Sequence, residues 1–156
     1  MARLTHNCLV ALVAGMALST SAVADVLTPE ARKLAHCEGV YLYAAQMAQL
    51  LNNNGAALNF LSRASRATTA SFFLNRRGDS VPGETILAIK ASRAGLRERL
   101  DSNPTLVSVE STECDRAIPP IFSAVANATK GETLRGKSLV DFNQYMLDQY
   151  KKSLGL

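Results

Sequence analysis

The sequence predicts an all-α protein with a single domain, built as a mostly antiparallel bundle of four long helices and one or two short ones. Three observations predict this fold. Apolar residues recur at spacings of three and four in successive segments of the 156-residue chain, and helix start and stop residues bound these segments. Strand signals are confined to residues 106–112, where a lone strand would have no partner. Two cysteines far apart in the chain offer one long-range disulfide.

The first 24 residues are typical of a secretory signal peptide. Arg3 precedes the apolar run at residues 8–18, which is shorter than the ~20 residues that span a bilayer. Ala22-Val23-Ala24 then offers the small-x-small pattern of a cleavage site. We therefore expect a mature domain of residues 25–156 in the periplasm, or secreted if the source has no periplasm. No second apolar run follows, so we expect no stable membrane insertion after cleavage.

Cys37 and Cys114 are the two cysteines of the mature chain. An even pair in an oxidising compartment favours a disulfide over two free thiols or a metal-binding pair. A bridge between positions this far apart would stabilise the fold by ~4–5 kcal/mol in the chain-entropy model.

The first two helices have clear ends. Thr28-Pro29-Glu30 supplies a capping residue, a proline at the first helical position and an early acid. The second helix runs from about residue 56 to residue 75, and Arg76-Arg77-Gly78 ends it. The apolar stripe of the first helix consists of Leu34, Cys37, Tyr41, Ala44, Ala48 and Leu51, with Val40 and Met47 beside it.

The remaining segments predict one more long helix in the middle of the chain, two short ones and a long final one. The third helix begins near Pro82 and ends at Asn103-Pro104, with Leu87, Ala91 and Ala94 on its apolar side. A short helix carries Cys114 and stops at Pro119-Pro120, and a second short helix spans about residues 121–129. Ser138 and Asp141 resemble a capping box at the start of the last helix.

Basic residues are concentrated in the middle of the chain, although the net charge of the mature protein is only +3 once Arg3 is removed. The ordinary interpretation is a solvated helical surface. The more specific one is a docking surface for a protein partner that could be anionic. We do not expect nucleic-acid binding, since the charge is mild and no recognised motif is present. The candidate docking residues are Arg63, Arg66, Lys90, Arg93 and Arg97.

A second candidate site surrounds the predicted disulfide. His36 and Glu38 flank Cys37 on opposite sides of the helix, because successive residues are turned by ~100°. A bridge to Cys114 would bring Glu113, Asp115 and Arg116 close, so that His36 could meet Glu113, or Glu38 could meet Arg116. The simpler interpretation is a set of polar side chains around a partly exposed disulfide. We predict no metal and no cofactor here. The residues of this low-priority polar site are His36, Glu38, Glu113 and Asp115.

Catalytic motifs are missing from the sequence. It has no G-x-S-x-G elbow, no phosphate-binding glycine loop and no C-x-x-C motif. Two-carboxylate chemistry among Glu38, Glu110, Glu113 and Asp115 stays open, because sequence does not give their separations. We therefore predict no catalytic residues and favour a non-enzymatic function. An exposed Tyr43 beside Gln46 would suit a contact surface.

The predicted function is non-catalytic binding of a protein partner, as an adaptor, inhibitor or immunity-type protein. The alternatives are a periplasmic stress chaperone and a cell-envelope hydrolase that uses carboxylates near the disulfide. The layout is similar to that of periplasmic acid-stress chaperones and of immunity proteins that neutralise secreted toxins. This likeness is one of architecture and transfers no function.

Overall fold

A computed structural model describes residues 26–156 of the chain, and the predicted signal peptide, residues 1–24, lies outside them. The described residues form six helices and no strand. Four helices are long and two are short, which confirms the predicted all-α bundle. The helices are α1 (Pro29–Leu50), α2 (Asn54–Leu74), α3 (Gly83–Ser92), α4 (Leu96–Ser102), α5 (Thr105–Ala128) and α6 (Leu139–Leu154).

At the start of three long helices, a capping side chain accepts a hydrogen bond from a backbone amide of the first turn. The Thr28 hydroxyl accepts a hydrogen bond from the Ala31 amide at the start of α1. Asn53 begins α2 in the same manner. Ser138 accepts from the Asp141 amide at the start of α6. Each cap replaces an intrahelical partner that the first turn lacks, so these boundaries follow from local sequence.

α1 is the central helix, and most of its circumference is buried. It packs against α2, α3, α4 and α5. Alanines supply much of its surface, and their short side chains let the neighbouring helices approach closely. The predicted stripe is wrong at its end, since Leu51 lies beyond the last turn of α1 and is 76% exposed. Met47 is also exposed. The buried residues of α1 are Ala31, Leu34, Ala35, Cys37, Glu38, Val40, Tyr41, Tyr43, Ala44, Ala45 and Ala48.

The main core lies where α1, α2, α5 and α6 meet, around the disulfide and a group of aromatic rings. Phe142 of α6 packs against Phe72 and Phe73 of α2, with ring centroids 6.0 Å apart in both pairs. Further along the same pair of helices, Thr68 of α2 contacts Tyr150 of α6. Because residue numbers rise on α2 as they fall on α6, these two helices run antiparallel. Smaller clusters lie under α3 and α4.

The predicted third helix is wrong, because the chain breaks between Arg93 and Leu96 and forms two short helices. Gly95 adopts φ +74°, a left-handed conformation that interrupts helical hydrogen bonding and that glycine tolerates without strain. The predicted apolar side is also wrong, since Ala91 and Ala94 are exposed. Leu87 is exposed, whereas Ala88 and Ile89 are buried.

The predicted stop at Pro119-Pro120 is also wrong, since α5 continues through both prolines. Each proline removes one backbone hydrogen bond and places its ring near the carbonyl one turn earlier. Apolar side chains on both sides of the prolines, including Ile118 and Val125, pack against the same core. This tertiary packing supports the helix where the local signal opposes it. The two short helices that the sequence predicts here are therefore one long helix.

Candidate functional site

The predicted disulfide is present and joins α1 to α5. The sulfur atoms of Cys37 and Cys114 are 2.07 Å apart, and both residues are fully buried. The expectation of a partly exposed bridge is therefore wrong. Since α1 is covered on most sides, the polar residues beside Cys37 are drawn into the interior and need partners there.

Glu38 is the most deeply buried of these polar residues, with 5% of its side chain exposed. Arg93 Nη1 lies 2.8 Å from its Oε1 atom, and the Tyr150 hydroxyl donates to the same oxygen at 2.6 Å. The Tyr150 hydroxyl also lies 2.6 Å from Thr68 Oγ1. Burial, together with the charge of Glu38, raises the pKa of Tyr150 well above its usual range, which keeps it a donor. This cluster joins α1, α2 and α6 to the turn that follows α3.

His36 lies on the other side of Cys37 and belongs to a different cluster. Its Nε2 atom is 3.0 Å from Glu110 Oε2, and Arg99 Nη2 is 3.0 Å from the other oxygen of Glu110. Burial lowers the pKa of His36, and the nearby cations Arg99 and Lys33 act in the same direction, whereas Glu110 opposes them. The balance of these effects disfavours the charged form of the imidazole, which still lies within hydrogen-bond distance of Glu110.

Asp115 of α5 forms a third cluster, with one residue of α1 and one of α2. The Tyr41 hydroxyl donates to Oδ1 at 2.7 Å, and Arg63 Nη1 lies 2.7 Å from Oδ2. Burial raises the pKa of Tyr41, with a smaller contribution in the same direction from Asp115, so the hydroxyl remains protonated. Glu113 belongs to none of these three clusters, and its Oε2 atom lies 3.7 Å from Lys33 Nζ on the surface.

The four residues of the predicted polar site therefore do not form one site. The partner of His36 is Glu110 rather than Glu113, and the partner of Glu38 is Arg93 rather than Arg116. Glu38, Glu110, Glu113 and Asp115 each have a cation within 4 Å. Within residues 26–156, no group of three or more His, Cys, Asp or Glu side chains could hold a metal ion.

The five candidate docking residues divide into two kinds. Arg63 and Arg93 are engaged by Asp115 and Glu38 and help to hold helices together. Arg66 and Lys90 are exposed and form no ion pair in the part of the chain that the structure describes. Arg97 is intermediate, because it is 73% exposed and its Nε atom lies 3.7 Å from Asp101.

Arg93 and Arg97 nevertheless border the same groove, which lies between α1 and the turn that joins α3 to α4. We call it the Arg97 groove. Its volume is about 220 Å³. Tyr43 is one wall and is largely buried, so the expectation of an exposed tyrosine is wrong. Its hydroxyl donates to Asp101 Oδ1 at 2.7 Å. The lining residues are Gly39, Leu42, Tyr43, Gln46, Arg93, Leu96 and Arg97.

Gly39 lines the Arg97 groove where α1 lies close to the turn between α3 and α4. No role for this glycine was predicted from the sequence. A Cβ atom there would lie 2.6 Å from Leu96 Cδ2 and 3.3 Å from Arg93 Cδ. A side chain at residue 39 would therefore force the side chains of Leu96 and Arg93 to shift away from α1. An isolated glycine in the middle of a strong helical pattern is the available signal for such a close approach.

Two apolar features of the surface lie outside the Arg97 groove. A second groove, of about 400 Å³, is lined by Glu30, Leu74, Pro120, Ile121, Ala124, Val125 and Ala128. At the turn between α1 and α2, Leu50 and Leu51 are both about three-quarters exposed. None of the helices in residues 26–156 is long and apolar enough to cross a membrane.

Comparison of the chain with protein-family models, with curated proteins and with solved structures found no match.

Proposed function

We propose that the protein is a non-catalytic binding protein, exported to the periplasm, that acts on a protein partner as an adaptor, inhibitor or immunity-type protein. The buried Cys37–Cys114 bridge supports export, because structural disulfides persist in oxidising compartments. In an organism without a periplasm the same protein would be secreted.

The Arg97 groove is the observation that carries the proposal. It combines an aromatic wall at Tyr43, an apolar wall at Leu96 and an exposed guanidinium at Arg97. Tyrosine and arginine beside a recess are the side chains that most often dominate the binding energy of protein interfaces. Elsewhere among residues 26–156, Arg66 and Lys90 are exposed and form no ion pair, and their positive charge would favour a partner with an acidic surface.

The engagement of the carboxylates also supports binding over hydrolysis. A general acid or a nucleophile needs a carboxyl group that is free to exchange protons or attack a substrate. Glu38 and Asp115 instead hold an arginine and a tyrosine each. A cell-envelope hydrolase would require measurable turnover that disappears in Glu38→Gln or Glu113→Gln.

The test is affinity capture from the native envelope, with residues 25–156 as bait. Charge reversal at Arg93 is unsuitable, since a carboxylate there would face buried Glu38. Arg97→Glu is suitable, and Arg77→Glu is its matched control: both arginines are mostly exposed and pair loosely with one acid, at 3.7 and 3.6 Å. We expect a stoichiometric protein with the wild-type and Arg77→Glu baits and its loss with Arg97→Glu. Capture by none of the folded baits would contradict the proposal.

A stress chaperone is the second candidate, because Leu50 and Leu51 expose apolar surface at one end of the bundle. This function predicts that the protein suppresses aggregation of an unfolded client at low pH. The Leu50→Ser, Leu51→Ser double variant should then lose the effect. Aggregation at the same rate with and without the wild-type protein would eliminate this candidate.

A further inference from the structure

We propose that the Arg97 groove accepts a carboxylate side chain of the partner, an aspartate or glutamate with an apolar residue beside it. This inference rests on the proposed function, since it names the chemistry of the partner at the same surface. The occupant is part of an acidic segment of a protein, and Arg97 is the residue that binds it.

The dimensions of the groove suit one side chain. Its volume is about 220 Å³. Pockets for whole small-molecule ligands are usually larger, at about 300 Å³ or more. Leu42 and Leu96 supply apolar contacts for the methylene groups of the incoming residue and for its neighbour.

The charges in the groove favour one anionic group. Arg93 is 24% exposed and is held by Glu38, so its charge is already neutralised. Among residues 26–156, Arg97 pairs only with Asp101, four residues further along the same helix and also exposed. Exposed pairs of this kind contribute little to stability, so a partner carboxylate can readily displace Asp101. A planar guanidinium can then bind the new carboxylate through two hydrogen bonds.

Tyr43 lowers the free-energy cost of replacing Asp101 with the partner carboxylate at Arg97. Its hydroxyl donates to Asp101 Oδ1 at 2.7 Å, while Arg97 approaches the other oxygen, Oδ2. When Arg97 turns to the partner, Asp101 therefore keeps a hydrogen-bond donor and access to solvent. A phosphate chain or nucleic acid would require several unpaired cations side by side, whereas the groove offers only one loosely held guanidinium.

The direct test is an NMR titration of the 25–156 protein with two blocked pentapeptides. One peptide has a single glutamate between two leucines, and the other has glutamine in its place. We expect the glutamate peptide to shift the Leu42 and Leu96 methyl signals and the Arg97 side-chain signal, and to bind at least fivefold more tightly than the glutamine peptide. Raising the salt concentration should reduce this preference, because the exposed charges are screened.

Two variants identify the residue responsible. Arg97→Gln should remove the preference for glutamate, whereas Arg77→Gln should retain it. Asp101→Asn keeps an acceptor for the Tyr43 hydroxyl but removes the charge that competes for Arg97. The glutamate peptide should then bind about twofold more tightly, because losing an exposed ion pair of this spacing changes an equilibrium by about that factor. Equal affinity for the two peptides, binding of neither, or a preference that survives in Arg97→Gln would overturn the inference.

Failure of the carboxylate inference can be distinguished from failure of the proposed binding function. An envelope protein captured through Arg97 together with equal binding of the two peptides would retain the binding function and refute the carboxylate anchor. A glutamate preference without any captured protein would retain the anchor and refute the protein partner.

Discussion

Arg93 and Arg97 are four residues apart, yet they belong to two regions with opposite properties. Arg93 is mostly buried and lies 2.8 Å from Glu38, in a cluster that joins the central helix to α2 and α6. Arg97 is 73% exposed and has one loose contact, with Asp101. The inner region uses its charges to fix helices in place, whereas the groove leaves a charge that a partner can engage.

The difference shows that charge counted along the sequence is not charge on the surface. Between residues 63 and 99 the basic residues exceed the acidic ones. Several of those arginines meet carboxylates from distant parts of the chain, as Arg63 meets Asp115 and Arg76 meets Glu132. The fold therefore neutralises most of the basic segment and leaves fewer free cations than the sequence suggests.

Removal of the disulfide is the largest expected perturbation of the inner region. In the Cys37→Ala, Cys114→Ala double variant the unfolded chain regains the freedom of a 77-residue separation, and we expect a loss of about 4 kcal/mol in unfolding free energy. Urea unfolding followed by circular dichroism measures it. A loss below about 1 kcal/mol would mean that packing alone holds α5 against α1.

The two arginines should differ strongly when each is neutralised. Arg93→Gln leaves Glu38 buried without its cation, at an expected cost of about 3 kcal/mol, since breaking a buried pair is far more costly than breaking an exposed one. Arg97→Gln should cost less than about 0.5 kcal/mol. Equal unfolding midpoints for the two variants would contradict the division into an inner region and a groove. Adding Glu38→Gln to Arg93→Gln should recover part of the loss.

Gly39→Ala tests the boundary between the two regions. Alanine favours the helix by about 1 kcal/mol, but its Cβ atom would collide with Leu96, and overpacking typically costs about 1–3 kcal/mol. We expect a net destabilisation of about 1 kcal/mol and a narrower groove with weaker partner binding. Thermal unfolding and the peptide titration measure the two effects. A stabilised protein with unchanged binding would show that Leu96 moves aside freely.

The pH dependence of His36 is the smallest expected effect. Because burial lowers the pKa of His36 in the folded state, the unfolded state takes up more protons below about pH 6.5. Stability should therefore fall as the pH decreases from 7 towards 5, and His36→Gln should reduce this slope. Lys33, Arg99 and Glu110 all act on this imidazole. A slope unchanged in the variant would assign the pH dependence to other groups.

The features that sequence predicts best are those fixed by local chemistry. Thr28 and Ser138 cap their helices as their residue types require. The disulfide follows from the pairing of the two cysteines in the mature chain. These predictions need no knowledge of what lies across the core.

The features that sequence does not predict depend on tertiary packing. α5 continues through Pro119-Pro120 because the core supports both of its halves. Glu38 is next to a cysteine on a helix that four others cover, so its burial could not be read from its own helical turn. Arg93 comes from another helix, at the turn that Gly95 forms, and its side chain packs against Gly39, so this contact also could not be read from α1 alone.

The most direct test of the account measures stability and binding on the same three proteins: wild type, Arg97→Glu and Arg77→Glu. The captured envelope partner, purified, is titrated against each protein by calorimetry, and urea unfolding is recorded in parallel. The account predicts three nearly equal unfolding free energies, with an affinity at least tenfold weaker for Arg97→Glu and unchanged for Arg77→Glu. Equal affinities for the two variants would contradict it, because Arg97 would then have no specific role in binding.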